Sequence, residues 1–379
     1  MKKIFYLGYY DTPENKNENR NMVLSATNKM TYIVSAMESA GYSVNVVSAS
    51  QTCNKQKYDG KVVDLCKNSK LVLFKTLPWG NKIRRVFSVL YSKYQLIKYI
   101  LKNVGKDDTL VVYHSIAYAD IVRFLKKIIK FKLVLEVEEI YSDVSHSKRD
   151  SNAEFKIFEC ADAYIFSTGL LDEKVNKKNK PYSVIYGTYQ VENDYNCKFN
   201  DDRIHVVYAG TFDPRKGGAQ ASLSAVPYLN EKYHMHILGF GSADDTKNVT
   251  DEIERLSKKC KCKVTYDGLL SGEEYIKFIQ SCHIGMSTQN PDGGYNDTSF
   301  PSKILSYMAN GLYVVSVKIP VVEKSAIGTL MHFYNKNNGK MIADVISDIK
   351  IDSHYNSRKV IKDLDEKFVK DLMRLLKVE

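Results

Sequence analysis

Two lysines stand where a phosphate-bearing ligand would need them. Lys216 closes the run Val207-Tyr208-Ala209-Gly210-Thr211-Phe212-Asp213-Pro214-Arg215-Lys216-Gly217, which reads as a strand, a Gly turn, a loop and a helix start. Gly210 lets the backbone approach a ligand, and Lys216 with the helix N-terminus offers positive charge to a phosphate. The plainer alternative for this fragment alone is an ordinary strand-to-helix turn with surface basics. Lys303 lies in Asn296-Asp297-Thr298-Ser299-Phe300-Pro301-Ser302-Lys303, a polar loop running into a helix. Pro301 fits the first helical turn because its missing donor is not needed there. The free N–H groups of that turn, with Lys303, suit a diphosphate.

The first half of the chain offers a different set. Tyr113-His114-Ser115 ends one predicted strand and Glu136-Val137-Glu138-Glu139 ends another, so an imidazole and carboxylates are placed to meet a ligand. The plainer alternatives are a solvated strand end for the glutamates and a packed core for His114. Gly8-Tyr9-Tyr10 follows the first strand, with the polar loop 11–21 beyond it.

Several chemistries are excluded. Gly239-Phe240-Gly241 follows a strand but lacks the third glycine of a dinucleotide fingerprint, and Asp244 and Asp245 would repel a pyrophosphate. No Gly-Lys-Ser/Thr triplet follows a strand, so no Walker loop is present. The 7 cysteines form no CxxC pair, and nothing completes a zinc spacing around Cys260 and Cys262. No metal site is expected, and a reduced compartment is the simplest reading. Asp363 and Asp365 fall on a predicted helix and point apart.

These residues need sheets to hold them. Short β-rich runs alternate with amphipathic stretches, which argues for parallel sheets with helical crossovers. Strands are predicted at 3–7, 43–48, 71–74, 109–113, 132–137, 163–167 and 182–186, with helices at 24–40, 82–103, 117–129 and 151–160. Residues 187–203 read as a linker. A second alternation follows, with strands at 204–209, 234–238, 262–266, 283–287 and 312–317 and helices at 217–231, 247–259, 271–281 and 302–310. The expected architecture is α/β, with two Rossmann-like doubly wound domains, 1–190 and 204–350. In such sheets ligands sit beyond the carboxyl ends of the strands. A last helix is predicted over 356–378, and its apolar stripe needs a partner.

The second half resembles the retaining GT-B nucleotide-sugar glycosyltransferases, especially family 4, which works in cell-surface polysaccharide and glycoprotein glycan synthesis. The matching segments are Ala209 to Gly218, His236 to Ser242, Val264 to Tyr275, Cys282 to Thr288 and Phe300 to Ser316. The resemblance implies two domains facing a cleft, with residues 356–379 crossing back onto the first. It implies transfer of a sugar from a UDP- or GDP-sugar to a glycan, lipid-linked or protein-linked acceptor, with no cofactor required and no metal. Donor contacts would come from Gly210, Thr211, Arg215, Lys216, Gly239, Asp267, Gly268, Leu269, Asp297, Ser299, Phe300, Pro301, Ser302, Lys303 and Ser306. Glu138, Glu139 and His114 would form the catalytic side, and Gly8 and Tyr9 would meet the acceptor. Two positions depart from the family pattern. Thr211 stands where the family usually has Arg, with Arg215 close enough to compensate. Ser306 stands where a ribose-binding glutamate is usual, and Asp297 would replace the first acidic residue. Those departures leave a non-catalytic GT-B partner subunit as an alternative, and a sugar-nucleotide epimerase of the same fold is another.

The chain has 379 residues, 44% hydrophobic and 26% charged, enough to bury ordinary cores. Its net charge of +11 is uneven: residues 1–195 carry 30 basic against 21 acidic side chains. No nucleic-acid reader motif accompanies that charge. Residues 82–103 interleave Lys82, Arg84, Arg85, Lys93, Lys98 and Lys102 with aliphatic and aromatic residues. Such a helix either packs into the core with its cations solvated, or lies on an anionic membrane surface. The apolar run at the N-terminus is short and is followed at once by Asp11, Glu14 and Glu18. The expected location is cytoplasmic, peripheral to the inner leaflet under the second reading of that helix.

Overall fold

A computed structural model of the chain describes residues 2–141, 148–293, 296, 298–352 and 355–377, with the backbone alone at 148–151. The chain divides into two compact units, one of residues 1–188 with 365–379 and the other of residues 189–364.

The first unit is built on β1 (Lys2–Gly8), β2 (Tyr42–Ser48), β3 (Lys61–Asp64), β4 (Lys70–Leu73), β5 (Thr109–Tyr113), β6 (Lys132–Val137), β7 (Ala163–Phe166) and β8 (Tyr182–Val184). They form one sheet in the order β3-β4-β2-β1-β5-β6-β7-β8. Every pairing is parallel except β3 with β4. The strand order reverses between β1 and β5, which is where doubly wound sheets open to ligands. Helices Leu24–Ser39, Lys82–Asn103, Ile116–Ile129 and Lys148–Cys160 provide the crossovers. One buried core joins Phe5, Leu7, Val112, Leu135 and Phe166 on the sheet to Leu96, Ile100 and Val122 on the helices.

The second unit has β9 (Ile204–Thr211), β10 (Tyr233–Phe240), β11 (Lys263–Gly268), β12 (Ile284–Ser287), β13 (Tyr313–Val317) and β14 (His332–Tyr334). This sheet runs β11-β10-β9-β12-β13-β14, wholly parallel, with its reversal between β9 and β12. The single helix expected over 217–231 is shorter, Gly218–Ser224 followed by a 3-10 turn Val226–Tyr228. Pro227 is the reason: it has no N–H to continue the helical ladder. Strands β3 and β14 and helices Leu170–Val175 and Gly339–Asp348 were not expected from the sequence; all are short. The protein has the GT-B architecture, two parallel-sheet α/β units.

The C-terminal helix Ser357–Leu375 begins in the second unit, and residues from Asp365 onward belong to the first. There Phe368 stacks on Tyr32 at 6.1 Å between ring centroids, and Leu372 and Leu376 are wholly buried.

Candidate functional site

The carboxyl ends of β9 and β10 meet without side chains. Gly239 has φ +131°, and a Cβ built there would lie 1.8 Å from the Gly210 carbonyl oxygen, so only glycine fits. A Cβ on Gly210 would in turn lie 2.9 Å from Nζ of Lys303. The bare backbone thus admits an ammonium group and whatever that ammonium binds.

Lys303 is fixed from two sides. Its Nζ lies 4.2 Å from the centroid of the Tyr208 ring, a cation–π contact. Tyr208 is itself held by donating its hydroxyl proton to the Thr211 carbonyl at 2.9 Å. The helix that carries Lys303, Lys303–Ala309, is tied to β9 by Tyr307, whose hydroxyl accepts the Ala209 N–H at 2.9 Å. No side chain caps the start of that helix. Among the described residues no carboxylate pairs with Lys303. Burial, and then the charge of Lys216, push its ammonium down to about 8. Among the described residues neither lysine is in an ion pair, and two neighbouring cations of this kind make an anion-seeking site.

Two hollows open beside this pair. A cavity of 240 Å³ is lined by Gly210, Thr211, Gly239, Leu269, Leu270 and Tyr275 among others. A wider one of 740 Å³ is lined by Thr211, Arg215, Lys216, Phe240, Ser242 and Asp245 among others. Thr211 and Phe240 border both, so the two hollows are contiguous at the end of β9. Gly268, at φ +81°, turns the chain into the Leu269–Leu270 wall.

Several expected donor contacts sit differently. Arg215 does not join the lysines: it forms a two-pronged pair with Asp213 at 2.8 and 3.0 Å and its side chain is 90% exposed. The Asp267 carboxylate is turned onto Nδ1 of His236 at 3.1 Å and does not line either hollow. Ser306 lies beside Tyr275, which does line the smaller one. Phe300 is buried, while Ser299 and Pro301 are half-buried and Ser302 is exposed at the helix start. Asp297 lies outside the described residues. Tyr208, Tyr275 and Tyr307 were missed in the sequence, where aromatic residues on strands and helices read as core.

In the first unit the three expected catalytic residues have different surroundings. His114 is 1% exposed, stacked on Tyr141 with ring centroids 4.9 Å apart and equally close to Phe158. Burial holds its imidazole neutral, pushed down to about 3. It is a core histidine. Glu138 is half-buried and ion-paired with the buried Lys29, which also donates to the Ile185 carbonyl at 3.2 Å. Burial, then the charge of Glu138, push the Glu139 carboxyl up. Glu136 behind them is wholly buried and accepts the Tyr6 hydroxyl proton; burial and then Glu138 push its carboxyl up as well. Gly8 is buried against Met30, where a Cβ would meet Cε at 2.6 Å. Tyr9, by contrast, lines a cavity of 190 Å³ with Asn21, Gln51, Trp79, Ser92 and Lys93 among others.

The helix Lys82–Asn103 turns an apolar face outward. Ile83, Val86, Phe87, Leu90, Tyr94 and Leu101 are each more than half exposed, while Ser88, Ser92, Leu96 and Ile100 are buried. The exposed set recurs at three- and four-residue intervals, one continuous stripe. Arg84, Lys98 and Lys102 are also exposed, and the helix contains no Asp or Glu. Among the described residues no helix is long and apolar enough to cross a membrane.

Residues 203–349 match the family model described as Glycosyl transferases group 1. No curated protein matches the sequence. Similar solved structures share the whole fold at low identity. One from E. coli, described as trehalose-6-phosphate bound with UDP-2-fluoro glucose, has TM-score 0.65 and 12% identity, covering 98% of this chain and 99% of that one. An alpha,alpha-trehalose-phosphate synthase (UDP-forming) of Burkholderia xenovorans in complex with glucose-6-phosphate has TM-score 0.62 and 10% identity, covering 98% and 100%. HepE of Anabaena in complex with UDP and glucose has TM-score 0.60 and 13% identity, covering 99% and 100%.

Proposed function

We propose that the protein is a glycosyltransferase that moves a sugar from a UDP-sugar, or a GDP-sugar, to a glycan, lipid-linked or protein-linked acceptor. The observation that carries this reading is the unpaired Lys303 ammonium beside Gly210, with the charge of Lys216 acting on it, inside the segment that matches the family model. Breaking the anomeric C–O bond builds negative charge on the departing diphosphate. Lys216 and Lys303 are already in place to stabilise it, so little reorganisation accompanies the reaction. The base occupies the smaller hollow between Gly239 and Leu269–Leu270, and the diphosphate lies across Gly210 and Thr211. Ser306 and Tyr275 replace the usual carboxylate at the ribose. UDP is favoured because the similar structures from E. coli and Anabaena hold UDP-2-fluoro glucose and UDP.

The first unit takes the acceptor, with Tyr9 and the polar wall of its 190 Å³ cavity as the binding surface. Glu138, held by Lys29, and Glu139 are the carboxylates assigned to the transferred sugar; His114 is not among them. The reaction is retaining, with the acceptor hydroxyl attacking from the face the diphosphate leaves. The outward stripe of Lys82–Asn103 with its flanking cations supports attachment to an anionic membrane surface, where a lipid-linked acceptor would lie in surface-glycan synthesis.

The test is a donor screen. Binding of UDP, GDP and their sugars is measured by calorimetry, and nucleotide release and sugar products are followed with and without glycan acceptors. Acceptor-dependent release from one donor supports the proposal. Failure of every nucleotide and nucleotide sugar to bind would leave a non-catalytic partner subunit, and an isomerised nucleotide sugar formed without acceptor would leave an epimerase.

A further inference from the structure

On the second unit, away from the lysine pair, three imidazoles converge. His205 on β9 and His234 on β10 are register partners, and His236 follows on the same face of β10. All three are buried, and one ring nitrogen from each lies within 4.8 Å of the other two.

The partners of these rings fix where their protons are. Nε2 of His205 meets the Asp201 carboxylate at 2.8 Å, and Nδ1 of His236 meets the Asp267 carboxylate at 3.1 Å. A carboxylate only accepts, so both nitrogens carry hydrogen. Nε2 of His234 meets the Thr265 hydroxyl at 3.0 Å, and that hydroxyl donates to Asp267, so it too accepts from the ring. The remaining nitrogens are therefore bare lone pairs. Nδ1 of His205 and Nε2 of His236 face each other at 2.9 Å, and Nδ1 of His234 is buried without a hydrogen-bond partner. Two lone pairs at that distance repel unless a cation lies between them. A proton would join those two and leave the His234 nitrogen orphaned. A metal ion joins all three.

We infer that His205, His234 and His236 form a binding site for a divalent transition-metal ion of the zinc type. Imidazole nitrogens suit such ions. Metal-ligating histidines donate their other N–H to a carboxylate or a similar acceptor, the arrangement found here at every ring. Tetrahedral zinc at about 2.0–2.1 Å from each nitrogen sets them about 3.3 Å apart, so on binding the facing pair opens by a few tenths of an ångström and the His234 ring, whose nitrogen lies within 4.8 Å of both, closes in. The site is lidded by Phe199, stacked 4.1 Å from the His205 ring and 4.9 Å from that of His236. Its ion would clamp the segment carrying Phe199 and Asp201 to the sheet. Through Asp267 it would also steady the turn that leads into Leu269 and Leu270. The role is structural and independent of the sugar-transfer reading.

The test uses the full chain after chelation and dialysis, titrated with Co²⁺ and followed in the visible spectrum, then with Zn²⁺ and followed by thermal unfolding. The expected result is one equivalent of Co²⁺ with ligand-field bands and no thiolate charge-transfer band, and a raised melting temperature with Zn²⁺. Asp201→Asn, at an exposed carboxylate, should weaken the metal about 10–100-fold while the chain stays folded. His234→Leu should abolish binding, its fold checked by circular dichroism. Absence of ligand-field bands, a thiolate band from the cysteines, or unchanged affinity in both variants would overturn the assignment.

Discussion

Raising the pH through the titration of Lys303 should weaken nucleotide binding and, in the free protein, strengthen the fold. In the ligand-free chain burial and Lys216 push this ammonium from its ordinary 10.5 to about 8. A bound diphosphate supplies opposite charge and keeps the group protonated to higher pH. Below about pH 8 the free protein already carries the charge, so affinity is flat. Above it the competent fraction falls tenfold per pH unit, and the apparent dissociation constant rises in proportion. At about pH 9.5 the loss is about thirtyfold, or about 2 kcal/mol. The effect on stability has the opposite sign. A lysine with a depressed folded-state pKa binds fewer protons folded than unfolded between about 8 and 10.5, so unfolding becomes harder as pH rises through that window. The full depression corresponds to about 3 kcal/mol. Calorimetry of UDP at fixed ionic strength from about pH 7 upward reads the first slope, above the range where phosphate itself titrates. Urea unfolding reads the second. Lys303→Met separates Lys303 from the other lysines and tyrosines that titrate nearby. Equal UDP affinity at neutral and alkaline pH, or the same slope in Lys303→Met, would refute the reasoning.

Lys216→Ala should weaken UDP about tenfold or more, the loss of one charge-assisted contact worth about 1.5–3 kcal/mol. Arg215→Ala should change it less than about twofold, because that guanidinium is exposed and already paired with Asp213; calorimetry on both variants distinguishes the two cations. Flotation with anionic vesicles should recover the protein, and neutral vesicles should not. Arg84→Glu with Arg85→Glu should abolish recovery, each cation contributing about 1 kcal/mol at such a surface, and Phe87→Ser with Leu90→Ser should do the same without lowering the melting temperature. Recovery in the soluble fraction with both vesicle types would remove the membrane from the account. Leu372→Ala should cost about 2–5 kcal/mol in urea unfolding, as expected for a wholly buried leucine; a cost under about 1 kcal/mol would mean the returning helix does not brace the first unit.

The sequence reveals what is local. Apolar runs bounded by polar turns mark the long parallel strands, and Pro301 after a polar loop marks the helix that delivers Lys303. What it hides depends on partners far along the chain. Glu138 and Arg215 look alike as free charges. Yet Glu138 meets Lys29 across 109 residues, while Arg215 is neutralised by Asp213 two residues away. Ser306 stands where a carboxylate is usual in the family it resembles, and its neighbour Tyr275 is recognisable only once the helix Gly272–Gln280 is placed beside it. The three histidines escape notice for the same reason. Their ligand geometry comes from neighbouring strands, and the carboxylates that orient them come from a linker and a bulged strand end.

The helix Lys82–Asn103 shows the limit most clearly, because both of its faces had candidates for burial. Apolar residues recur all along the sequence of this helix, so spacing alone does not choose its core face. The fold buries Ser88 and Ser92 with Leu96 and Ile100. Small side chains let this helix lie close to the sheet, and the Ser92 hydroxyl donates to the Ala49 carbonyl at 3.1 Å, so its burial leaves no unsatisfied donor. With Ser92 bonded and the Ser88 hydroxyl buried without a hydrogen-bond partner on the inside, the larger apolar residues face outward. An outward stripe of that size on a helix without acidic residues is costly to leave in water. A surface that is apolar a few ångströms down and anionic at its face removes that cost on both counts, which a neutral protein partner would do on one alone.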